Sequence, residues 1–162
     1  MSGTPRPLRI AVIGAGRASA EEADLAEALG RALGEAGAAV VCGGLGGVME
    51  AAARGCARAG GSTVGILPGL RGEDANPWIE IPLPTGMDEA RNALVVRAGE
   101  SVVAVGGSWG TLSEIALGRK MGREVALLGR PPIDGLELPR FSVPEDAAAW
   151  ALDRAREHRG RG

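Results

Sequence analysis

Along the chain, short apolar runs end in glycine and give way to longer stretches in which leucine and alanine recur every three or four positions. Leu8–Ile13, closed by Gly14-Ala15-Gly16, reads as a buried strand entering a loop. From Glu21 to Ala36 the spacing becomes helical, with Leu25, Leu29 and Leu33 on one stripe, acids early and Gly37 as the stop. The pattern then repeats: a strand Ala39–Cys42, a glycine cluster Gly43–Gly47, a helix Val48–Ala59, and a strand Thr63–Leu67. A polar loop follows over Pro68–Pro77, then a short strand over Trp78–Leu83 and a helix over Met87–Ala98. Ser101–Val105 is another strand, followed by Gly106-Gly107-Ser108-Trp109-Gly110, a helix from Thr111 to about Met121 and a strand Val125–Leu128. An edge strand near Phe141-Ser142-Val143 and a last helix from Pro144 complete the series.

Strands that alternate with helices pair in parallel, because parallel neighbours need crossovers, and right-handed crossovers place helices on both faces. The expected fold is therefore α/β, a Rossmann-like doubly wound, mainly parallel sheet flanked by helices on both faces. It comprises one domain over residues 8–155, with a flexible N-terminus at 1–7 and a disordered tail at 156–162. Ligands of such sheets bind beyond the carboxyl ends of the strands, where the loops after the first, second and fifth strands converge. All three loops are rich in glycine.

Composition narrows the functions open to this fold. The 162 residues carry a formal charge of −2 with acids and bases interleaved, a poor match for nucleic acid or an anionic membrane. No stretch approaches the roughly 18 apolar residues of a membrane span, and no basic-then-apolar leader opens the chain. With only Cys42 and Cys56 available, reduced thiols and a cytoplasmic location are expected. His158 is the only histidine and stands in a polar stretch, so one chain cannot assemble a histidine zinc site or a Ser-His-Asp triad. No metal site is expected.

A helix start presents unpaired amide hydrogens and a partial positive charge, and glycine lets backbone approach an anion closely. Gly14, Gly16, Gly43, Gly44, Gly46, Gly47, Gly106, Gly107 and Gly110 are accordingly candidate phosphate contacts, although each cluster could equally serve only to turn strand into helix. The first loop lacks the third glycine of G-x-G-x-x-G, and Cys42-Gly43-Gly44 stands where a dinucleotide site needs an acid, which argues against NAD. No glycine cluster precedes Lys-Ser or Lys-Thr, so a Walker loop is absent.

Around the last cluster, Ser108, Trp109, Thr111 and Glu114 bring a hydroxyl and a carboxylate to one helix start. Thr111-x-x-Glu114 also spells a capping box, and the two roles are compatible. Arg91, with Asn92 beside it, could clamp a phosphate bidentately, or it could be a solvated helix arginine. Glu50, after Met49 in the first turn of its helix, could accept from a sugar hydroxyl or balance the helix dipole.

These residues resemble the Lonely Guy (LOG) superfamily, whose hallmark is Pro-Gly-Gly-x-Gly-Thr-x-x-Glu, and more closely its small molybdenum-cofactor-carrier-like branch. The resemblance runs through most of residues 8–155. Gly110, Thr111 and Glu114 match the second half of the hallmark, while Gly106 replaces its proline and Ser108 its second glycine. The carrier-like branch is further similar in Gly43–Met49, in Ile66-Leu67-Pro68-Gly69 and in Ala90-Arg91-Asn92.

The resemblance implies that Arg91 and Glu114 are catalytic in a phosphoribohydrolase, cutting the N-glycosidic bond of a nucleoside 5'-monophosphate. A carboxylate beside the ribose would stabilise an oxocarbenium-like transition state while the arginine and loop amides hold the phosphate. The family members with this activity carry lysine where Asn92 stands. The alternative implied by the carrier-like branch is a non-catalytic protein that holds molybdopterin as cargo; neither reading requires a resident cofactor. A sensor of a nucleotide signal is a third class. An older label for the superfamily, lysine decarboxylase, conflicts with the single lysine, Lys120, which stands about three helical turns past the glycine loop. The expected partners are an AMP-like or pterin phosphate and, by resemblance, a second copy in a homodimer.

Overall fold

A computed structural model describes residues 5–161. Seven strands form one sheet, β1 (Arg9–Gly14), β2 (Ala39–Cys42), β3 (Thr63–Leu67), β4 (Ile81–Pro84), β5 (Ser101–Val105), β6 (Val125–Leu128) and β7 (Arg140–Phe141). Its order is β4-β3-β2-β1-β5-β6-β7, and every pair is parallel. The chain winds outward from β1 in one direction through β2, β3 and β4, then returns to β5 on the other side of β1. The reversal puts the switch point between β1 and β5, which run side by side from Ile10 and Ser101 to Gly14 and Val105.

Alternation along the strands assigns each side chain to a face. Ile10, Val12, Val103, Val105 and Leu128 pack against α1 (Ala20–Glu35), α2 (Val48–Arg58) and α5 (Pro144–Gly160). Ala11, Ile13, Val102, Ala104 and Leu127 face α3 (Asn92–Ala98) and α4 (Trp109–Lys120). The fold is the Rossmann-like α/β sandwich expected from the sequence. With so few aromatic residues, the core closes by bringing backbones together. A Cβ added at Gly30 would stand 2.0 Å from the Ala52 carbonyl oxygen, and one at Gly55 would stand 2.0 Å from that of Glu27. The two helices α1 and α2 therefore touch main chain to main chain.

Three local expectations differ from the structure. The helix expected over Met87–Ala98 starts late: Asp88 has φ +48°, outside the helical region, so residues 88–91 form a 3-10 turn and α3 begins at Asn92. The strand expected over Trp78–Leu83 begins at Ile81, because a turn holds Trp78. In that turn Asn76 Oδ1 accepts from the Trp78 amide at 3.0 Å, and Thr63 Oγ1 donates to the Trp78 carbonyl at 2.6 Å. The tail expected to be disordered from residue 156 is helical to Gly160. Arg159 pins it there, donating to both Glu100 carboxylate oxygens at 2.8 Å and to the Arg6 and Pro7 carbonyls. Residues 1–4 and 162, parts of the expected flexible ends, lie outside the described residues.

Candidate functional site

At the carboxyl edge of the sheet, the loops after β1, β2 and β5 meet, and backbone ties the first two together. The Val48 amide donates to the Ala15 carbonyl at 3.1 Å, fastening the start of α2 to the loop after β1. Gly47, at φ +66°, allows this, since a Cβ there would lie 2.2 Å from the same carbonyl oxygen. Between the loops opens a cleft of about 180 Å3. Its floor is the end of β1 and the loop that follows, Val12 to Gly16; its walls come from Gly43 and Met49 on one side and from Ser108, Gly110, Thr111 and Glu114 on the other. Arg91 and Asn92 close it from the turn that leads into α3.

Arg91 is the cation of this cleft and is 9% exposed. Its Nη1 donates to Asn92 Oδ1 and its Nη2 to the Gly43 carbonyl at 3.5 Å, while the buried Nε has no partner. A donor left unpaired in the interior is costly, and the plane of the guanidinium is fixed by the partners it does have. Gly43 makes room for this: a Cβ there would stand 2.8 Å from Arg91 Nη2 and 2.7 Å from Met49 Sδ. Glu114 is 7% exposed and is the acidic residue of the lining. Burial pushes its carboxyl up to about 7, against the opposing pull of Arg91. Near neutral pH it therefore titrates, able to donate a hydrogen bond in its protonated form and to accept in either form.

The capping role drawn from Thr111-x-x-Glu114 is corrected. Helix α4 begins two residues earlier than expected, with Ser108 as its cap, and the Ser108 amide points to Thr111 Oγ1 at 3.4 Å. Thr111 is thus the third helical residue, and Glu114 is released from capping to face the cleft.

Of the positions singled out in the sequence, Gly14, Gly16, Gly43, Met49, Arg91, Asn92, Ser108, Gly110, Thr111 and Glu114 come together in the cleft. Gly44, Gly46, Gly47 and Glu50 are outside its lining and shape the turn into α2, and Gly106 faces away, towards Glu22 on α1. Gly107 and the exposed Trp109 border a neighbouring apolar groove of about 350 Å3, together with Ser108, Leu112, Pro132 and Ile133. Sequence reading did not single out Pro132 or Ile133, since a proline-rich connection carries no signal of facing a helix two elements earlier. Among the described residues, no cluster of three or more His, Cys, Asp or Glu could hold a metal ion, and no helix is long and apolar enough to cross a membrane.

A single doubly wound sheet, with one arginine-bearing cleft at its switch point, defines a Rossmann-like α/β protein whose helix starts converge on a small polar chamber. The chain belongs to the SLOG cluster4 family, whose sequence profile matches residues 7–150. An uncharacterized protein of Archaeoglobus fulgidus is 40% identical over 148 residues, covering 90% of this chain and 95% of its own. The structure of the molybdenum cofactor binding protein from the phototrophic bacterium Rippkaea orientalis is similar with a TM-score of 0.84 at 30% identity, covering 93% of this chain and 98% of that one. The molybdenum cofactor carrier protein of Chlamydomonas reinhardtii is similar with a TM-score of 0.83 at 30% identity, covering 93% and 99%. These findings agree with the resemblance read from Gly43–Met49, Ala90-Arg91-Asn92 and Gly110-Thr111 to Glu114.

Proposed function

We propose that this chain binds and carries a phosphorylated pterin, the organic part of the molybdenum cofactor, gripping it by its phosphate in the cleft between β1 and β5. The observation that carries this reading is Arg91, a buried guanidinium that lines the cleft. A phosphate oxygen accepts from it, and the amides at the start of α4 supply further donors. Gly110 supports the fit, because a Cβ added there would meet nothing within 4 Å and would project into open space. Glu114 completes the set: in its protonated form it donates to the phosphate, and it does not repel the anion. The similarity to two proteins described as binding or carrying molybdenum cofactor supports pterin as the cargo.

A carrier needs only this grip. Glycoside cleavage ordinarily draws on two carboxyl groups, whereas Glu114 is the single one lining this cleft. The test is to express the chain in a host that makes the cofactor. Molybdenum in the purified protein is then measured by mass spectrometry, and pterin by fluorescence after oxidative release. Retention near one pterin per chain, lost in Arg91→Ala, is expected. Equal retention by Arg91→Ala would refute the assignment.

A second reading, hydrolysis of a nucleoside 5'-monophosphate, is favoured by the raised Glu114 carboxyl, a feature common at acid and base catalysts. Release of ribose 5-phosphate from AMP by the wild type and not by Glu114→Ala would establish it; its absence accords with the carrier. The homodimer implied by family resemblance and the cytoplasmic location expected from the cysteines belong to the same proposal, and sedimentation velocity tests the dimer.

A further inference from the structure

We propose that Trp109 is a specificity-determining residue, its groove holding the planar heteroaromatic ring of the ligand whose phosphate lies in the Arg91 cleft. This inference rests on the phosphate-in-cleft reading and adds where the rest of the ligand goes. The cleft encloses about 180 Å3. That is below the roughly 300 to 1,000 Å3 of sites that enclose a whole small-molecule ligand, so a phosphorylated pterin or nucleotide must extend beyond it.

The space it extends into is set by α4. Trp109 and Leu112 are one turn apart and lie on the flank of the helix opposite Thr111 and Glu114. Against that flank packs the loop after β6, giving the apolar groove of about 350 Å3 between Trp109, Leu112, Pro132 and Ile133. Ser108, the cap of α4, lines both chambers, so a ligand leaving the cleft over the helix start passes directly into the groove. Trp109 is 82% exposed, a large apolar area to leave in water, and its indole offers a stacking face that accepts any planar ring. The groove is apolar where the cleft is polar, the division that a ligand with a charged end and a flat end requires.

Binding of three probes, ribose 5-phosphate, AMP and a pterin monophosphate, measured by isothermal titration, tests the assignment. The variants are Trp109→Ala, Trp109→Phe and Arg91→Ala, each checked for folding by circular dichroism. The ring-bearing probes should bind the wild type at least about 10-fold more tightly than ribose 5-phosphate. Trp109→Ala should erase that advantage, Trp109→Phe should keep most of it, ribose 5-phosphate should bind the wild type and both Trp109 variants alike, and Arg91→Ala should weaken every probe. Equal affinity of ringed and ringless probes for the wild type, or an advantage that survives Trp109→Ala, would overturn this inference alone. So would a dimer that Trp109→Ala dissolves, since a second copy would then cover the groove. Failure of every probe to bind folded wild type, or indifference to Arg91→Ala, would remove the cleft reading and this one together.

Discussion

Replacing Glu114 by glutamine isolates the most perturbed carboxyl of the cleft. In the fold its proton is released near pH 7, against 4.5 for the free group, a shift caused first by burial and reduced by Arg91. A carboxyl whose folded value is raised binds more protons in the native than in the unfolded chain between those values, so stability falls as pH rises. The contribution is intact below about pH 4.5 and is lost on passing through about 7. With about 1.4 kcal/mol for each unit, the loss amounts to about 3 kcal/mol by pH 8. Glu114→Gln, neutral at every pH, does not suffer it.

Urea unfolding followed by circular dichroism at pH 5, 6, 7 and 8 measures both proteins. The stability of the variant relative to the wild type should rise by about 2 to 3 kcal/mol across that range. His158, whose proton is held less tightly because of burial, and the paired acids Glu27 and Glu100 also titrate, but they are present in both proteins and cancel in the difference. A difference that stays flat from pH 5 to 8 would refute the burial argument.

Three further outcomes follow from contacts described above. Gly30→Ala drives a methyl into the Ala52 carbonyl and should cost about 1 to 3 kcal/mol, read as a lower urea midpoint. Gly110→Leu adds a side chain without a clash at a helical position on the cleft lining, so the melting temperature should hold or rise while binding of ribose 5-phosphate weakens. Arg159→Ala leaves the buried Glu100 with the Arg9 amide at 2.8 Å and the Arg9 guanidinium at 3.7 Å, and should lower stability by about 1 to 2 kcal/mol, with Glu100→Gln recovering part of it.

Much of this fold was legible because its strands are short apolar runs closed by glycine. The bounds of β2, β3, β5 and β6 coincide with runs such as Ala39–Cys42 and Ser101–Val105, which are buried throughout and polar at most in their first residue. Convergence of three glycine loops was legible for the same reason, since topology alone brings them to one edge. The misplaced boundaries arise where a single tertiary contact overrides pattern. Asp88 takes a left-handed conformation within a stretch of helical composition, and Arg159 finds a buried carboxylate 59 residues away. For Glu114 the sequence left a capping role open beside the site role, because Thr-x-x-Glu reads as a cap until Ser108 is seen to supply it. The Trp109 groove needs Pro132 and Ile133, brought across β6, and no spacing in the sequence encodes that meeting.

The clasp between Arg159 and the carbonyls of Arg6 and Pro7 sets the start of β1 beside the end of α5, on the rim of the sheet remote from the cleft. Reporter domains or immobilising tags joined at residue 6 or at residue 160 therefore stand clear of incoming ligand. A circularly permuted chain, spliced from residue 160 to residue 6 by a brief linker and reopened elsewhere, should retain the same sheet.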